Sequence, residues 1–339
     1  MSDVDALVWG LVLFLGIVVL IDIMIHLVTL KIVLPIFERQ PPFNVRNAPV
    51  DPQARAVRIP TTNGLTLAGS LWRPKGQPKG LIVFFPECQG FHTSAIEHLG
   101  ALVDDGFALF SFDFRNQGSS EHEKGYTPSH WLTEREVSDA LAALKFIEND
   151  RELREYPIGF FGVSRGANAA LATAARASHV KGVVAEGAFS TDQMMLYYAS
   201  RWAALYAPRW LLACIPEWHL AATLRMTRRF NGWRRGVRYT VLENWLPQLN
   251  GRPTLLIAGG RDSYVAPPIV EHLRTKIGGD AGPVWVVPGA KHNQARWTAP
   301  EEFEARLVAF YDDALGGFQG AAGELDSDAS RPRVAEIAH

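Results

Sequence analysis

The chain has 339 residues, and 47% of them are hydrophobic, so it is long and apolar enough to bury the core of a globular domain. Its formal net charge at pH 7 is -1, from 34 basic and 35 acidic side chains, which argues against a nucleic-acid-binding protein. Two cysteines, Cys88 and Cys214, are too few for a disulfide framework and lack the spacing of metal ligands, so free thiols are expected.

The first predicted element is a membrane-spanning helix. Residues 6–30 form an almost unbroken apolar stretch, interrupted by Asp22 and His26, and its length suffices to cross a bilayer. The seventeen Leu, Ile, Val and Phe residues in this stretch favour insertion by about 0.3–0.6 kcal/mol each, whereas one off-centre aspartate costs about 3 kcal/mol. The sequence therefore predicts an N-terminal transmembrane anchor over residues 1–31.

The charges beside this stretch predict its orientation. Lys31, Arg39 and Arg46 follow it and no Lys or Arg precedes it. This asymmetry favours a single-pass protein with the rest of the chain in the cytoplasm. A cleaved signal peptide is disfavoured, because the basic start and the small-residue cleavage site of such peptides are both missing.

Two polar residues interrupt the predicted anchor, and a proline-rich segment follows it. Asp22 and His26 lie four positions apart on one helix face. We interpret them as a polar patch near one membrane interface, with pairing to each other or to a partner helix as the alternative. Residues 40–55 hold four prolines and scattered arginines, so residues 32–55 are predicted to be an extended linker.

The folded domain is predicted to begin at residue 56 with a β-hairpin, because residues 56–60 and 65–72 flank a Thr-Thr-Asn-Gly turn. Six later apolar runs are continuous rather than alternating, as expected for parallel strands covered on both faces. These runs lie at 81–85, 107–112, 158–161, 180–185, 254–258 and 284–287.

Helical segments separate most of these runs. The clearest helix covers residues 133–149, where Thr133 and Glu136 form a capping box. The alternation predicts an α/β domain with a doubly wound, mostly parallel sheet over residues 56–315. Residues 316–339 have almost no large apolar side chains and are predicted to be a disordered tail.

A candidate nucleophile lies directly after the run at 158–161. The chain there reads Gly162-Val163-Ser164-Arg165-Gly166, followed by an alanine-rich segment that favours a helix. The two glycines permit a tight strand-to-helix turn that exposes the hydroxyl of Ser164. A Gly-Ser loop without chemistry is the alternative interpretation.

A serine hydroxyl needs a base to take its proton, and the base needs a carboxylate to orient it. Asp262 follows the run at 254–258, and His292 follows the run at 284–287. Both residues therefore lie at the carboxyl ends of predicted parallel strands, at the edge where Ser164 also emerges. Glu186 as the acid and Cys88 as the nucleophile are weaker alternatives.

The order of these residues, Ser164, Asp262 and His292, resembles that of the α/β-hydrolase fold serine hydrolases. The segments 112–120, 259–267 and 288–293 also resemble the loops of those enzymes. The likeness covers roughly residues 56–315 and is greatest to the serine-aminopeptidase, prolyl-oligopeptidase-like and dienelactone-hydrolase-like branches. It implies an α/β-hydrolase fold and a catalytic triad of these three residues.

The loop expected to form the oxyanion hole departs from the usual His-Gly start. Residues 86–90 read Pro-Glu-Cys-Gln-Gly, an arrangement similar to that of the dienelactone hydrolases. By position in the family, the resemblance assigns the backbone N–H groups of Cys88 and Arg165 to the oxyanion hole.

Other polar residues are given structural roles. His92, His98 and His219 are predicted to lie on the surface or in a lid. Asp113 and Arg115 are predicted to form a structural pair that shapes the turn after the run at 107–112.

About sixty residues separate the runs at 180–185 and 254–258, which predicts a helical lid over residues 190–250. Five of the ten tryptophans lie between residues 202 and 245, and eight arginines lie between 201 and 238. Such a composition suits a membrane interface with anionic lipid. The alternative is that the tryptophans pack inside the lid and the arginines face solvent.

Together, these features predict a membrane-anchored serine hydrolase that cleaves an ester, like a carboxylesterase or lipase, with a small-molecule or lipid-like acyl substrate. A peptidase, a thioesterase and an acyltransferase are open alternatives, as is a non-catalytic binding protein of the same fold. No metal or cofactor is implied.

Overall fold

A computed structural model describes residues 3–38, 45, 49–206, 208, 210, 216–278 and 281–316 of the chain. Cys214, most of the predicted linker between residues 39 and 48, and the predicted disordered tail beyond residue 316 lie outside the described residues.

An 8-stranded sheet runs through the described domain in the order β1-β2-β4-β3-β5-β6-β7-β8. Its strands are β1 (Arg55–Pro60), β2 (Thr66–Trp72), β3 (Leu81–Phe85), β4 (Ala108–Phe112), β5 (Ile158–Val163), β6 (Val180–Glu186), β7 (Thr254–Gly259) and β8 (Trp285–Val287). The pairs β1–β2 and β2–β4 are antiparallel, whereas all other neighbouring pairs are parallel. The predicted leading hairpin and the mostly parallel sheet are both confirmed.

Helices connect the strands and extend both ends of the domain. They are α1 (Asp3–Glu38), α2 (Ala95–Asp104), α3 (Glu134–Asn149), α4 (Arg165–Ala174), α5 (Thr191–Tyr206), α6 (Glu217–Arg235), α7 (Pro267–Ile277), α8 (Ala295–Thr298) and α9 (Pro300–Leu315). The predicted capping box at the start of α3 is confirmed, since Thr133 and Glu136 satisfy each other's backbone N–H groups.

The sheet is buried because helices cover both of its faces. Every residue of β3, β4 and β5 is buried. On one face, Phe110 of β4 belongs to the same apolar core as residues of α3 and α4. On the other face, Leu109 of β4 belongs to a core with residues of α2 and α9. This alternation explains why the strands read as continuous apolar runs rather than as alternating patterns.

Helix α1 extends further than the sequence predicts. It continues to Glu38, so residues 32–38 are helical, and the prediction of a linker there is wrong. The reason is tertiary: Phe37 is only 2% exposed, and its ring stacks on Trp131 and meets Tyr239 edge-on. The indole N–H of Trp131 also donates to the carbonyl oxygen of Phe37 at 2.8 Å.

The first half of α1 has a different environment. Residues 4–21 are all exposed, and the segment from Val4 to Pro35 is long and apolar enough to cross a membrane. Eighteen helical residues extend for about 27 Å, close to the ~30 Å thickness of a bilayer's hydrocarbon core. Asp22 contacts the rest of the protein, since its carboxylate lies 2.7 Å from the His219 ring.

Helices α1 and α6 run parallel and side by side. Contacts between them join Asp22 to His219, His26 to Thr223 and Glu38 to Arg234, pairs that are separated by 197, 197 and 196 positions in the chain. Because this separation is nearly constant, the two helices point in the same direction with matched register. The start of α6 therefore lies level with Asp22, and its end lies level with Glu38.

Several polar residues are placed differently from the expectation. The predicted pair of Asp113 and Arg115 is wrong: the Arg115 guanidinium donates to Asp139, with its closest contact at 2.6 Å. Asp113 instead accepts from the backbone N–H groups of His92 and Ser119 at 2.6 and 2.8 Å. The geometry of the loop explains this difference. Backbone N–H groups lie within bonding distance of Asp113, and a carboxylate of α3 lies within bonding distance of Arg115.

The histidines also differ in part from the expectation. His92 and His98 are 9% and 6% exposed, so both are buried rather than on the surface. His219 lies in the predicted lid region, as expected, but it is 7% exposed because α1 covers it.

Candidate active site

Ser164 lies in the tight turn between β5 and α4. Its backbone has φ 54° and ψ −119°, a conformation that non-glycine residues adopt only when their surroundings enforce it. The two flanking glycines allow the turn, because a Cβ at Gly162 would lie 2.5 Å from the carbonyl oxygen of Gly166. A Cβ at Gly166 would collide with the carbonyl oxygen of Pro86. The tight turn therefore requires both glycines of the sequence pattern.

The structure brings Ser164, His292 and Asp262 together, although they are far apart in the chain. His292 Nε2 lies 3.0 Å from the hydroxyl oxygen of Ser164. On the other side of the ring, His292 Nδ1 lies 2.7 Å from a carboxylate oxygen of Asp262. The three residues follow β5, β7 and β8, so the parallel arrangement of those strands gathers them at one edge of the sheet.

The surroundings of Asp262 fix the direction of its carboxylate. Its Oδ1 accepts from the backbone N–H groups of Tyr264 and Val265, both at 2.8 Å. Its Oδ2 faces His292, which favours the His292 tautomer with a hydrogen on Nδ1 and a lone pair on Nε2 that accepts from Ser164. Such a hydrogen-bonded chain can move a proton from a hydroxyl to a buried imidazole.

The predicted oxyanion donors come from two segments, the start of α4 and the loop after β3. Arg165 is the first residue of α4, so its N–H has no partner within the helix. Cys88 lies in the loop after β3, which approaches the start of α4 closely at Gly166. Cys88 is buried, and burial raises the pKa of its thiol, an environment that disfavours the thiolate needed for a nucleophile.

The Arg165 side chain has a structural role. It is fully buried, donates to the carbonyl oxygen of Ser129 at 2.7 Å and also bonds Gln117. Glu136 of α3 lies 3.6 Å away and balances its charge. These bonds fix the start of α4, and with it the turn that carries Ser164.

Glu186 ends β6 beside the site and bonds backbone groups there. Its backbone carbonyl accepts from the Ser164 N–H at 2.8 Å, and its Oε1 accepts from the Ala295 N–H at 2.9 Å. Burial raises the pKa of Glu186 to about 7, while the bond from Ala295 and the neighbouring His292 act in the opposite direction. The geometry therefore favours Asp262 over Glu186 as the acid that orients the imidazole.

Two residues that were not predicted as site residues lie beside this arrangement. The Asn293 amide donates to the carboxylate of Glu87, next to His292. Burial raises the pKa of Glu87, whereas the bond from Asn293 and the charge of His292 lower it. The sequence contained one signal for this contact, since Glu87 takes the place of the usual His-Gly start of the loop. Its partner could not be found from spacing, because Asn293 lies 206 positions further along.

Helix α5 of the lid region closes over the loop that carries the acid. The hydroxyl of Tyr198 donates to the backbone carbonyls of Ser263 and Tyr264 at 2.6 and 2.5 Å. Burial raises the pKa of Tyr198 to about 12, so it stays protonated and keeps this donor. The Tyr264 ring in turn lies 5.5 Å from the ring of His292. A chain of two contacts, through Tyr264, thus links the lid region to the histidine.

Comparison with known proteins identifies the family. The sequence pattern of the α/β hydrolase family matches residues 82–306, which is more than half of the chain. No curated protein matches the sequence.

Solved structures share the fold at low sequence identity. An esterase of Pyrococcus furiosus has a TM-score of 0.59 and 19% identity, with 82% of this chain and 98% of that chain covered. An α/β hydrolase of Penicillium sp. has a TM-score of 0.56 and 15% identity, covering 78% of this chain and 99% of that one. A hydrolase of Pseudomonas aeruginosa has a TM-score of 0.51 and 23% identity, with coverages of 76% and 98%. The described fold and the matching sequence pattern agree, and the chain belongs to the α/β hydrolase family.

Proposed function

We propose that this protein is a serine hydrolase in which Ser164, His292 and Asp262 form the catalytic triad. The observation that carries the proposal is the chain of two contacts, 3.0 Å from Ser164 to His292 and 2.7 Å from His292 to Asp262. A nucleophile, a base and an orienting acid within hydrogen-bond distance are the parts that acyl transfer needs.

The geometry supports the following sequence of steps. The Ser164 oxygen attacks the acyl carbon while His292 Nε2 accepts its proton, and Asp262 stabilises the imidazolium that forms. The backbone N–H groups of Cys88 and Arg165 bind the negative oxygen of the tetrahedral intermediate. His292 then donates the proton to the leaving group, and a water molecule releases the acyl group from Ser164 by the same path.

We further propose that the bond cleaved is an ester of a lipid-like acyl substrate and that α1 anchors the domain to a membrane. The support is the exposed apolar segment 4–21, whose length of about 27 Å fits a bilayer. The basic residues after it favour a cytoplasmic catalytic domain. Acyl esters are concentrated at such a surface, which favours them over soluble peptides as substrates.

A fluorophosphonate probe tests the triad directly, because it reacts only with an activated serine. The full-length protein is expected to be labelled, and Ser164→Ala is expected to abolish both labelling and ester hydrolysis, a loss of at least about 10⁴-fold in kcat. Ser190→Ala is a matched control, because Ser190 is also buried but lies outside the triad. Equal labelling of wild type and Ser164→Ala would refute the assignment.

A series of p-nitrophenyl esters, thioesters and anilides of increasing acyl length then separates the esterase from its alternatives. We expect the highest kcat/KM for oxygen esters with longer acyl chains. A preference for thioesters would indicate a thioesterase, and a preference for anilides would indicate a peptidase, each using the same triad. Labelling without turnover of any of them would favour an acyltransferase, and the absence of labelling would favour a binding protein.

A further inference from the structure

Helices α1 and α6 together build a cluster of metal-ligating side chains outside the candidate active site. Asp22 and His26 come from one face of α1, and His219 comes from the start of α6. One ligand atom from each lies within 4.8 Å of the others. The sequence alone implies no metal, because His219 lies 197 positions after Asp22 and only the parallel packing of the helices joins them.

The distances in this cluster suit a tetrahedral ion. Asp22 Oδ1 is 2.7 Å from His219 Nε2, and Asp22 Oδ2 is 3.5 Å from His26 Nε2. A Zn²⁺ ion bound at about 2.0–2.2 Å to each ligand separates neighbouring ligand atoms by about 3.3 Å. The two observed distances, which are measured from different oxygens of Asp22, lie on either side of that value. The two imidazole rings are stacked, with centroids 4.1 Å apart and planes at 9°, so their Nε2 atoms can face the same carboxylate.

Thr223 contacts the ring nitrogen of His26 that faces away from Asp22. Its hydroxyl oxygen lies 3.1 Å from the backbone carbonyl oxygen of His219 and 2.5 Å from His26 Nδ1, and when it donates to the carbonyl it accepts from His26 Nδ1. With the hydrogen on Nδ1, the Nε2 atom of neutral His26 presents a lone pair towards the Asp22 carboxylate. A cation between these two atoms, either a proton or a metal ion, removes their repulsion, and a second-sphere bond to the far ring nitrogen is typical of metal-ligating histidines.

We propose that Asp22, His26 and His219 bind a divalent transition metal ion, with Zn²⁺ as the best-fitting candidate, and that the ion clamps the anchor helix to the lid region. Two imidazoles and one carboxylate are ligands that Zn²⁺ accepts, with a fourth position left for water. The cluster lies where Asp22 of α1 meets His219 of α6, and exposed apolar side chains of α1 continue past it as far as Val28.

The experiment uses the full-length protein in detergent, without a histidine tag, after removal of metal by a chelator. Calorimetric titration with Zn²⁺ is expected to give one site per chain, and Co²⁺ is expected to give the visible spectrum of a tetrahedral nitrogen and oxygen site without sulfur-to-metal charge transfer. That spectrum also excludes the two cysteines as ligands. The absence of saturable binding, or a thiolate spectrum, would overturn the proposal.

Variants locate the site. Asp22→Asn and His219→Gln are each expected to weaken Zn²⁺ binding by more than about 100-fold, and Thr223→Val by about 10- to 100-fold through loss of the bond to His26. His179→Asn is the matched control, since this exposed histidine also pairs with a carboxylate, that of Glu148. Unchanged binding in both ligand variants would overturn the proposal. If these variants do not fold, the Zn²⁺ affinity of Thr223→Val and the Co²⁺ spectrum of the wild type show whether the ion binds at this cluster.

The metal site and the proposed hydrolase function are separable. Ser164→Ala is expected to bind Zn²⁺ like the wild type, because Ser164 contributes nothing to the cluster. Zn²⁺ is also expected to raise the Tm of the wild type but not that of Asp22→Asn. A protein that binds Zn²⁺ at this site and fails to react with the fluorophosphonate probe would refute only the proposed function.

Discussion

Two buried carboxylates compete for the role of the acid beside His292. The Asp262 carboxylate contacts the imidazole at 2.7 Å, whereas the Glu186 carboxylate accepts from the Ala295 backbone instead. An asparagine at position 262 would place an amide where the ring needs an acceptor and would favour the wrong tautomer. Asp262→Asn is therefore expected to lower kcat for ester hydrolysis by about 10³- to 10⁴-fold, while Glu186→Gln stays within about tenfold of wild type. A larger loss of kcat in Glu186→Gln than in Asp262→Asn would mean that Glu186 is the acid that orients His292.

Glu186 is instead expected to make the free energy of unfolding depend on pH. Burial raises its pKa from 4.5 to about 7 in the folded protein, so between these two values the folded state binds more protons than the unfolded state. Its contribution to the free energy of unfolding is therefore highest at low pH, decreases as the pH rises from about 4.5 to about 7 and stays low above that.

Replacing Glu186 by the neutral glutamine removes this dependence. At pH 8, Glu186→Gln is expected to be more stable than wild type by on the order of 3 kcal/mol, and at pH 4.5 the difference should nearly vanish. Denaturant unfolding in detergent at both pH values measures this. Glu155→Gln, which makes the same charge change at an exposed position, should show no such trend. A constant difference between Glu186→Gln and wild type at both pH values would contradict the prediction.

The candidate site residues were predictable because each follows an apolar run. Ser164, Asp262 and His292 come directly after strands whose carboxyl ends must meet in a parallel sheet. The pairing of Asp113 and Arg115 was not predictable, because sequence neighbours in a loop have many partners within reach. Arg115 bonds Asp139 on α3, and only the packing of that helix against the sheet decides between the two carboxylates.

At the scale of elements, α1 combines two environments in one helix. The apolar pattern predicted its first part, since hydropathy depends only on the residues themselves. The extension to Glu38 depends on Trp131, which bonds Phe37 across 94 positions and cannot be recognised from the local sequence. Prolines after residue 40 favoured a linker, and tertiary packing overrides that preference for residues 32–38.

The end of α1 should therefore contribute to the stability of the domain. Phe37→Ala removes a ring that is 2% exposed and packed on Trp131, and it is expected to lower the free energy of unfolding by about 3–5 kcal/mol. Leu15→Ala removes an apolar side chain that is 52% exposed in the other half of α1 and is expected to leave that free energy unchanged in detergent. Equal effects of the two changes would mean that α1 does not pack on the domain as described.

At the scale of the whole molecule, the parallel packing of α1 and α6 sets how much of the lid region can reach a membrane. If residues 4–21 span the bilayer, the start of α6 lies at its surface and the rest of α6 leads away from it. The composition alone favoured a position in the membrane interface for the whole lid region, which is rich in arginine and tryptophan. Some of its arginines have internal roles instead, since Arg228 bonds Asp192 and Arg234 bonds Glu38.

Two exposed tryptophans test this arrangement as a matched pair. Trp218 is 66% exposed and level with Ile21, at the proposed end of the span, whereas Trp233 is 79% exposed and lies fifteen residues further along α6, about 22 Å away.

In nanodiscs, an environment-sensitive fluorophore attached through Trp218→Cys, with Cys214 changed to serine, is expected to emit at shorter wavelength and to be quenched by nitroxide lipids. The same label at Trp233→Cys should behave as in water, because aromatic residues occupy the interface only where their depth matches it. Comparable quenching at the two positions would mean that α6 lies flat on the bilayer, and quenching at neither would mean that α1 does not span it.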